Sequence, residues 1–147
     1  MKLPIKLDPP ALELILVLDE GPGARLEARI DVTWAGELYL PAGALSHLRR
    51  HPESARGTWR ELDPEWLDGP ALGLRPAWRG TIRLPAPTPF VPVEGKADPL
   101  RRELRVHEGR PGDASSACVG RGFLARCGLV FMLDPERAEG MLLLRDG

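Results

Sequence analysis

From Arg25 to Trp34 the chain alternates strictly: Leu26, Ala28, Ile30, Val32 and Trp34 stand between Arg25, Glu27, Arg29, Asp31 and Thr33. Successive side chains leave a strand on opposite sides, so this period of two specifies an antiparallel strand with one face in water. The preceding run, Leu12 to Leu18, is apolar on both faces apart from Glu13, and Asp19-Glu20-Gly21-Pro22-Gly23 supplies a turn between the two. Together they read as a hairpin.

The rest of the chain repeats the theme in shorter pieces. Glu37-Leu38-Tyr39-Leu40 extends the sheet, Trp78 to Leu84 alternates again, and Leu100 to His107 does so less cleanly. Pro41 opens a helical pattern over 42–50, with Ala44, Leu45 and Leu48 on one face, and His51-Pro52 closes it. Asp63-Pro64-Glu65 and Asp134-Pro135-Glu136 share the grammar of a helix start, an Asp cap followed by Pro at the first helical position. The segments 114–125 and 129–133 read as a second hairpin, because Gly120, Gly122 and Gly128 disfavour a helix, which stays open as the alternative. Met141 to Leu144 forms a last strand. The expected fold is mainly β, with α+β as the alternative: an antiparallel sandwich or barrel of about eight short strands with one short helix near 42–50.

At 16.2 kDa, residues 1–147 make a single domain. Residues 85–99 form a proline-rich arm: Pro85, Pro87, Pro89 and Pro92 fix φ and remove donors, so the segment is extended and no central strand. Such an arm either guards a sheet edge or, led by Phe90, packs on a second subunit.

Composition adds habitat rather than activity. No asparagine or glutamine occurs, where average usage would supply roughly a dozen. Losing the thermolabile amides, with 16 prolines and 17 arginines against 3 lysines, points to a thermophilic source. The net charge of −1 gives no global field for nucleic acid or anionic membrane, and no stretch is long and apolar enough to span a bilayer. Asp8, Glu13 and Pro9-Pro10 spoil a signal-peptide reading of the N-terminus, so the expected location is cytoplasmic. Cys118 and Cys127 are too few for a disulfide scaffold; they are small buried hydrophobes or, across a hairpin, a pair.

Several constellations merit chemistry. His47 and His51 share the i, i+4 spacing of zinc sites, but Leu48 stands where a general-base glutamate would follow, and Arg49 and Arg50 put two cations beside any metal. They are weak metal ligands. Arg49, Arg50, Arg101 and Arg102 suit a small anion better. Glu61, Asp63, Glu65 and Asp68 lack the glycine of a calcium loop, Trp66 standing in its place. Trp59 and Trp66 flank this acidic patch and are candidates, with Phe90, for stacking or an interface. Arg101-Arg102-Glu103-Leu104-Arg105 followed by Asp113-Ala114-Ser115 resembles in residue type the arginine and Asp-x-Ser elements of PilZ cyclic-dinucleotide receptors. Only seven residues separate the elements and Cys118 replaces the expected glycine, so no assignment is taken from it.

No nucleophile elbow, Walker loop or dinucleotide fingerprint appears, and no cofactor is expected. The leading expectation is a non-enzymatic, thermostable binding or assembly protein acting as a homo-oligomer. The alternatives are a small-anion or nucleotide-binding module using the clustered arginines, and a small hydrolase built on dispersed Glu61, Asp63 and His47.

Overall fold

A computed structural model describes residues 2–7, 10–46, 51–53, 56–85, 101–134, 136 and 139–144. Among them, eleven strands and one helix follow in order: β1 Lys2–Leu7, β2 Pro10–Leu16, β3 Ala24–Ile30, β4 Leu38–Leu40, β5 His51–Pro52, β6 Arg60–Asp68, β7 Leu72–Arg83, β8 Arg101–Glu108, β9 Ala117–Val119, α1 Arg121–Cys127, β10 Leu129–Asp134 and β11 Glu139–Leu144. The fold is mainly β, a closed barrel. Its six strands run β2-β3-β9-β4-β8-β7, and β7 returns to β2 through Ile15↔Arg83 and Leu16↔Ile82. Beyond it, β1, β11 and β10 extend from β2, and β6 and β5 extend from β7. Most pairings are antiparallel; β3–β9, β4–β8 and β5–β6 are parallel.

The hairpin read from the sequence forms as β2 and β3, paired from Ala11↔Arg29 to Leu16↔Ala24. Its second strand stops at Ile30, before the alternation ends. Asp31 accepts bonds from the Thr33 amide and hydroxyl, turning the chain so that Val32 is exposed while Trp34 is buried. A short acid that bonds the backbone two residues on competes with the strand ladder, and here it prevails.

The barrel interior is filled from alternate positions, among them Leu12, Leu14 and Leu16 of β2, Leu38 and Leu40 of β4, and Leu104 and Val106 of β8. Helix α1 contributes Phe123, Leu124 and Cys127 to the same core. This is the short helix of the fold, and it lies at 121–127 rather than near 42–50. At 42–46 the backbone forms turns, with Gly43 at φ 80°, outside helical geometry, and 47–50 lie outside the described residues. The first turn of α1 has no side-chain cap. Instead Arg121 N–H donates to the Trp34 carbonyl at 2.8 Å and Gly122 N–H to the Gly36 carbonyl at 3.0 Å. A Cβ at either Gly120 or Gly122 would collide with that loop's carbonyls, so the two glycines read as helix breakers are what lets this helix dock.

The Asp63-Pro64-Glu65 segment is likewise strand, not helix start. It sits in β6, where the register against β7 shifts between Leu62 and Glu65. A bulge leaves one residue unpaired, which suits a proline without an N–H. Asp134 ends β10, and Pro135 lies outside the described residues. The 85–99 arm, Phe90 included, falls outside them after Pro85. No helix of the described residues is long and apolar enough to cross a membrane.

The seam where β2 meets β7 is locked by Trp59, which is 1% exposed. Its indole N–H donates to the Val17 carbonyl at 2.7 Å, while Val17 N–H donates to Thr81 at 2.9 Å. The ring lies against Gly80 of β7, where any Cβ would overlap it. Gly80→Ala is therefore expected to lower stability by about 1–3 kcal/mol, the usual range for overpacking a filled core. Urea unfolding checks this: the midpoint should fall with little change in slope.

Candidate functional site

One row of side chains on the outside of the barrel organises the surface. Cα partners across a sheet share a face, and the pairings Ala77↔His107, Tyr39↔His107, Tyr39↔Cys118 and Arg29↔Cys118 place Ala77, His107, Tyr39, Cys118 and Arg29 in one line across five strands. Most of this line is covered. The β6–β7 hairpin folds over it, bringing Leu67 and Ala71 into a second small core with Trp34, Tyr39 and Cys118. Trp34 fills the space between, its ring pressed against Gly36, Gly69 and Gly120, none of which could carry a Cβ there. It also meets His107 edge-on, with ring centroids 6.5 Å apart.

Polar groups pin the cover down. Arg75 of β7 grips Asp113 in a two-bond fork at 2.6 and 2.9 Å, and Asp113 accepts a third bond from Arg110 N–H at 2.7 Å. The Arg75 guanidinium, with the Arg110 amide, holds the Asp113 carboxyl down at about 2. Tyr39, fully buried, donates its hydroxyl to the Ala114 carbonyl at 2.8 Å, and burial raises its pKa. His107 is 8% exposed; its Nδ1 is buried without a partner, and its Nε2 stands 3.7 Å from Glu65, which also pairs with Arg105. Burial lowers the His107 pKa, against the pull of Glu65.

At the far end of the row the cover stops. There a cleft of about 380 Å³ opens, lined by Arg29, Asp31, Pro70, Ala114, Ser115, Ser116 and Cys118. Cys118 forms part of its wall as a neutral thiol, since burial pushes its pKa up to about 11. Cys127, in the core, is pushed up to about 12 for the same reason, and both cysteines are free.

Trp59 is a core residue at the barrel seam, which removes it as a surface platform. Trp66 is 68% exposed on β6, and it pairs with exposed Leu74; Leu72 continues the same face. Arg101 and Arg102 begin β8 on opposite faces of the strand, Arg101 opposite Arg83 and Arg102 opposite Ile82. Arg49, Arg50, His47 and Phe90 lie outside the described residues. His51 pairs with Asp19 at 2.7 Å, in a space that glycine at 57 leaves for the ring. Asp19 also accepts from Thr58 N–H at 2.6 Å; that bond, then His51, lowers its pKa to about 2. Among the described residues no group of three or more His, Cys, Asp and Glu could hold a metal ion. Glu61 and Asp63 are both exposed on β6, and His47 lies outside the described residues. The chain matches no protein family, and no curated protein or solved structure matches it either.

His107 makes the cover sensitive to acid. Its folded pKa lies below the ordinary 6.5, so the unfolded chain binds more protons in that interval. The stability from neutral His107 is complete above that pH and drains as pH falls through the folded value. Unfolding free energy should decline as pH falls below 6.5, and His107→Leu should flatten that decline. Urea titrations across the range measure it. Asp113 and Asp19 act in a lower window, stabilising above the unfolded value of 3.8 and losing their contribution as pH approaches about 2.

Proposed function

We propose that this chain is a heat-stable binding or assembly protein that forms a homo-oligomer through the outer face of the β6–β7 hairpin. The observation that carries this is Trp66, 68% exposed, with Leu72 at 66% and Leu74 at 50% on the same face. Even-numbered positions of β7 inside the barrel hold Trp78, Gly80 and Ile82; past its rim the same side of the strand continues as Leu74 and Leu72 in the open. An exposed tryptophan among aliphatics is the composition of an interface centre, since such rings bury large area at little entropic cost. The edge of β6 adds to it: its pairing with β5 covers only Arg60 and Glu61, so among the described residues the outer edge from Leu62 onward has no partner. A two-fold contact between hairpins places each tryptophan against its counterpart's leucines.

Heat stability draws support from the ion pairs as well as the composition. Glu103 bridges Arg60 at 2.7 Å and Arg79 at 3.5 Å, and Arg79 also approaches Glu53 at 3.9 Å. Linked pairs of this kind strengthen relative to other terms as temperature rises, because ion desolvation costs less when hot.

A second reading, a small-anion module using arginines, is favoured by one feature. Arg83 and Arg101 are direct cross-strand neighbours, and neither makes an ion pair among the described residues. Like charges directly opposite are unfavourable unless something anionic lies between them. A thermal-shift series with phosphate separates this reading, because a ligand of the native state raises the melting temperature.

Light scattering after size exclusion tests the assembly. The protein should run larger than 16.2 kDa. Trp66→Ala with Leu74→Ser should weaken association by at least about tenfold, as expected for an interface anchor, while circular dichroism stays unchanged. A wild-type protein that remains monomeric at high concentration would refute it.

A further inference from the structure

We infer that the cleft at the open end of the outer row is a binding site for a small phosphate monoester that carries hydroxyl groups, such as a sugar phosphate. Three polar groups in it face solvent and make no hydrogen bond to another described residue, although Arg29 also feels the charge of Asp31. Arg29 makes no ion pair among the described residues, and the hydroxyls of Ser115 and Ser116, both exposed, have no partner there. A guanidinium with two hydroxyls offers donors to several oxygens at once, which suits a tetrahedral phosphoryl group with its three acceptor oxygens better than a planar carboxylate.

Asp31 decides against a bare ion. It lines the same cleft and stays ionised, its pKa lowered chiefly by the Thr33 bonds, so it repels any anion that brings no donor of its own. A ligand whose phosphate meets Arg29 and whose hydroxyl meets Asp31 satisfies both charges. Pro70, Ala114 and the neutral Cys118 thiol complete the cleft with surface for a compact carbon skeleton. A volume of about 380 Å³ lies within the range of small-molecule sites.

The cleft is also built on firm supports. Arg29 and Cys118 are register partners on adjacent strands, and Asp31 N–H donates to the Val119 carbonyl at 2.9 Å. The loop bearing Ser115 and Ser116 follows Ala114, which is tied by Tyr39, and Asp113, which is tied by Arg75. Side chains held on strands and anchored loops lose less entropy when a ligand arrives.

Calorimetric titration of the full chain with ribose 5-phosphate, and separately with inorganic phosphate, tests this. Ribose 5-phosphate should bind, and Arg29→Ala should weaken it at least tenfold, as should Ser115→Ala with Ser116→Ala. Asp31→Asn should weaken the ester while tightening inorganic phosphate, because the repelling charge is gone and Asn still accepts the Thr33 bonds. Each variant's melting temperature confirms that it folds. Absence of ester binding to the folded wild type, or binding indifferent to both Arg29→Ala and the serine pair, overturns the site. Equal binding of ester and phosphate, unmoved by Asp31→Asn, overturns the ester assignment.

Discussion

Trp34 is the contact on which the outer architecture rests. Its ring occupies a slot whose walls are three glycines from three different places in the chain: Gly36 beside it, Gly69 in the β6–β7 turn and Gly120 before α1. Its backbone matters as much, since its carbonyl receives the Arg121 N–H at the start of α1. One residue thus ties the hairpin cover to the barrel wall and caps the helix that fills the core. The slot has no room for adjustment, because backbone rather than flexible side-chain ends forms much of its boundary, and such an arrangement is either filled by a flat aromatic or left as a cavity.

What the sequence made legible follows from how local the signal is. The β2–β3 hairpin was readable because alternation over Arg25 to Ile30 and the glycine-proline turn before it agree at short range. The β7 and β8 strands were readable in part for the same reason. Asp63-Pro64-Glu65 satisfies every local rule for a helix start, while its actual state is fixed by β7, to which the strand pairs on both sides of a bulge. Helix α1 was obscured by glycines whose value lies in contacts with residues 34–37. In both cases a tertiary partner outweighed propensity.

The candidate cleft was beyond local reading altogether. Arg29 and Cys118 meet only because β9 inserts in parallel beside β3, a pairing that no hairpin rule anticipates. The sequence pointed instead to clustered arginines, and the strand period then sent Arg101 and Arg102 to opposite faces. Adjacent residues on a strand start from opposite faces, whereas residues in register across strands share one. Spacing along the chain found charge; only register found convergence.

The two faces of the β6–β7 hairpin connect the separate features into one mechanical unit. Its inner face holds Leu67, Ala71 and Arg75 against the buried row, its turn supplies Pro70 to the cleft, and its outer face carries Trp66, Leu72 and Leu74. Lifting the hairpin would expose Trp34, release Asp113 from Arg75 and remove a wall of the cleft in a single motion. Protonating His107 costs stability in the closed arrangement, because an imidazolium beneath the cover is desolvated with its Nδ1 unpaired. The same element that seals the barrel's outer row therefore walls the cleft and carries the exposed face of Trp66, Leu72 and Leu74.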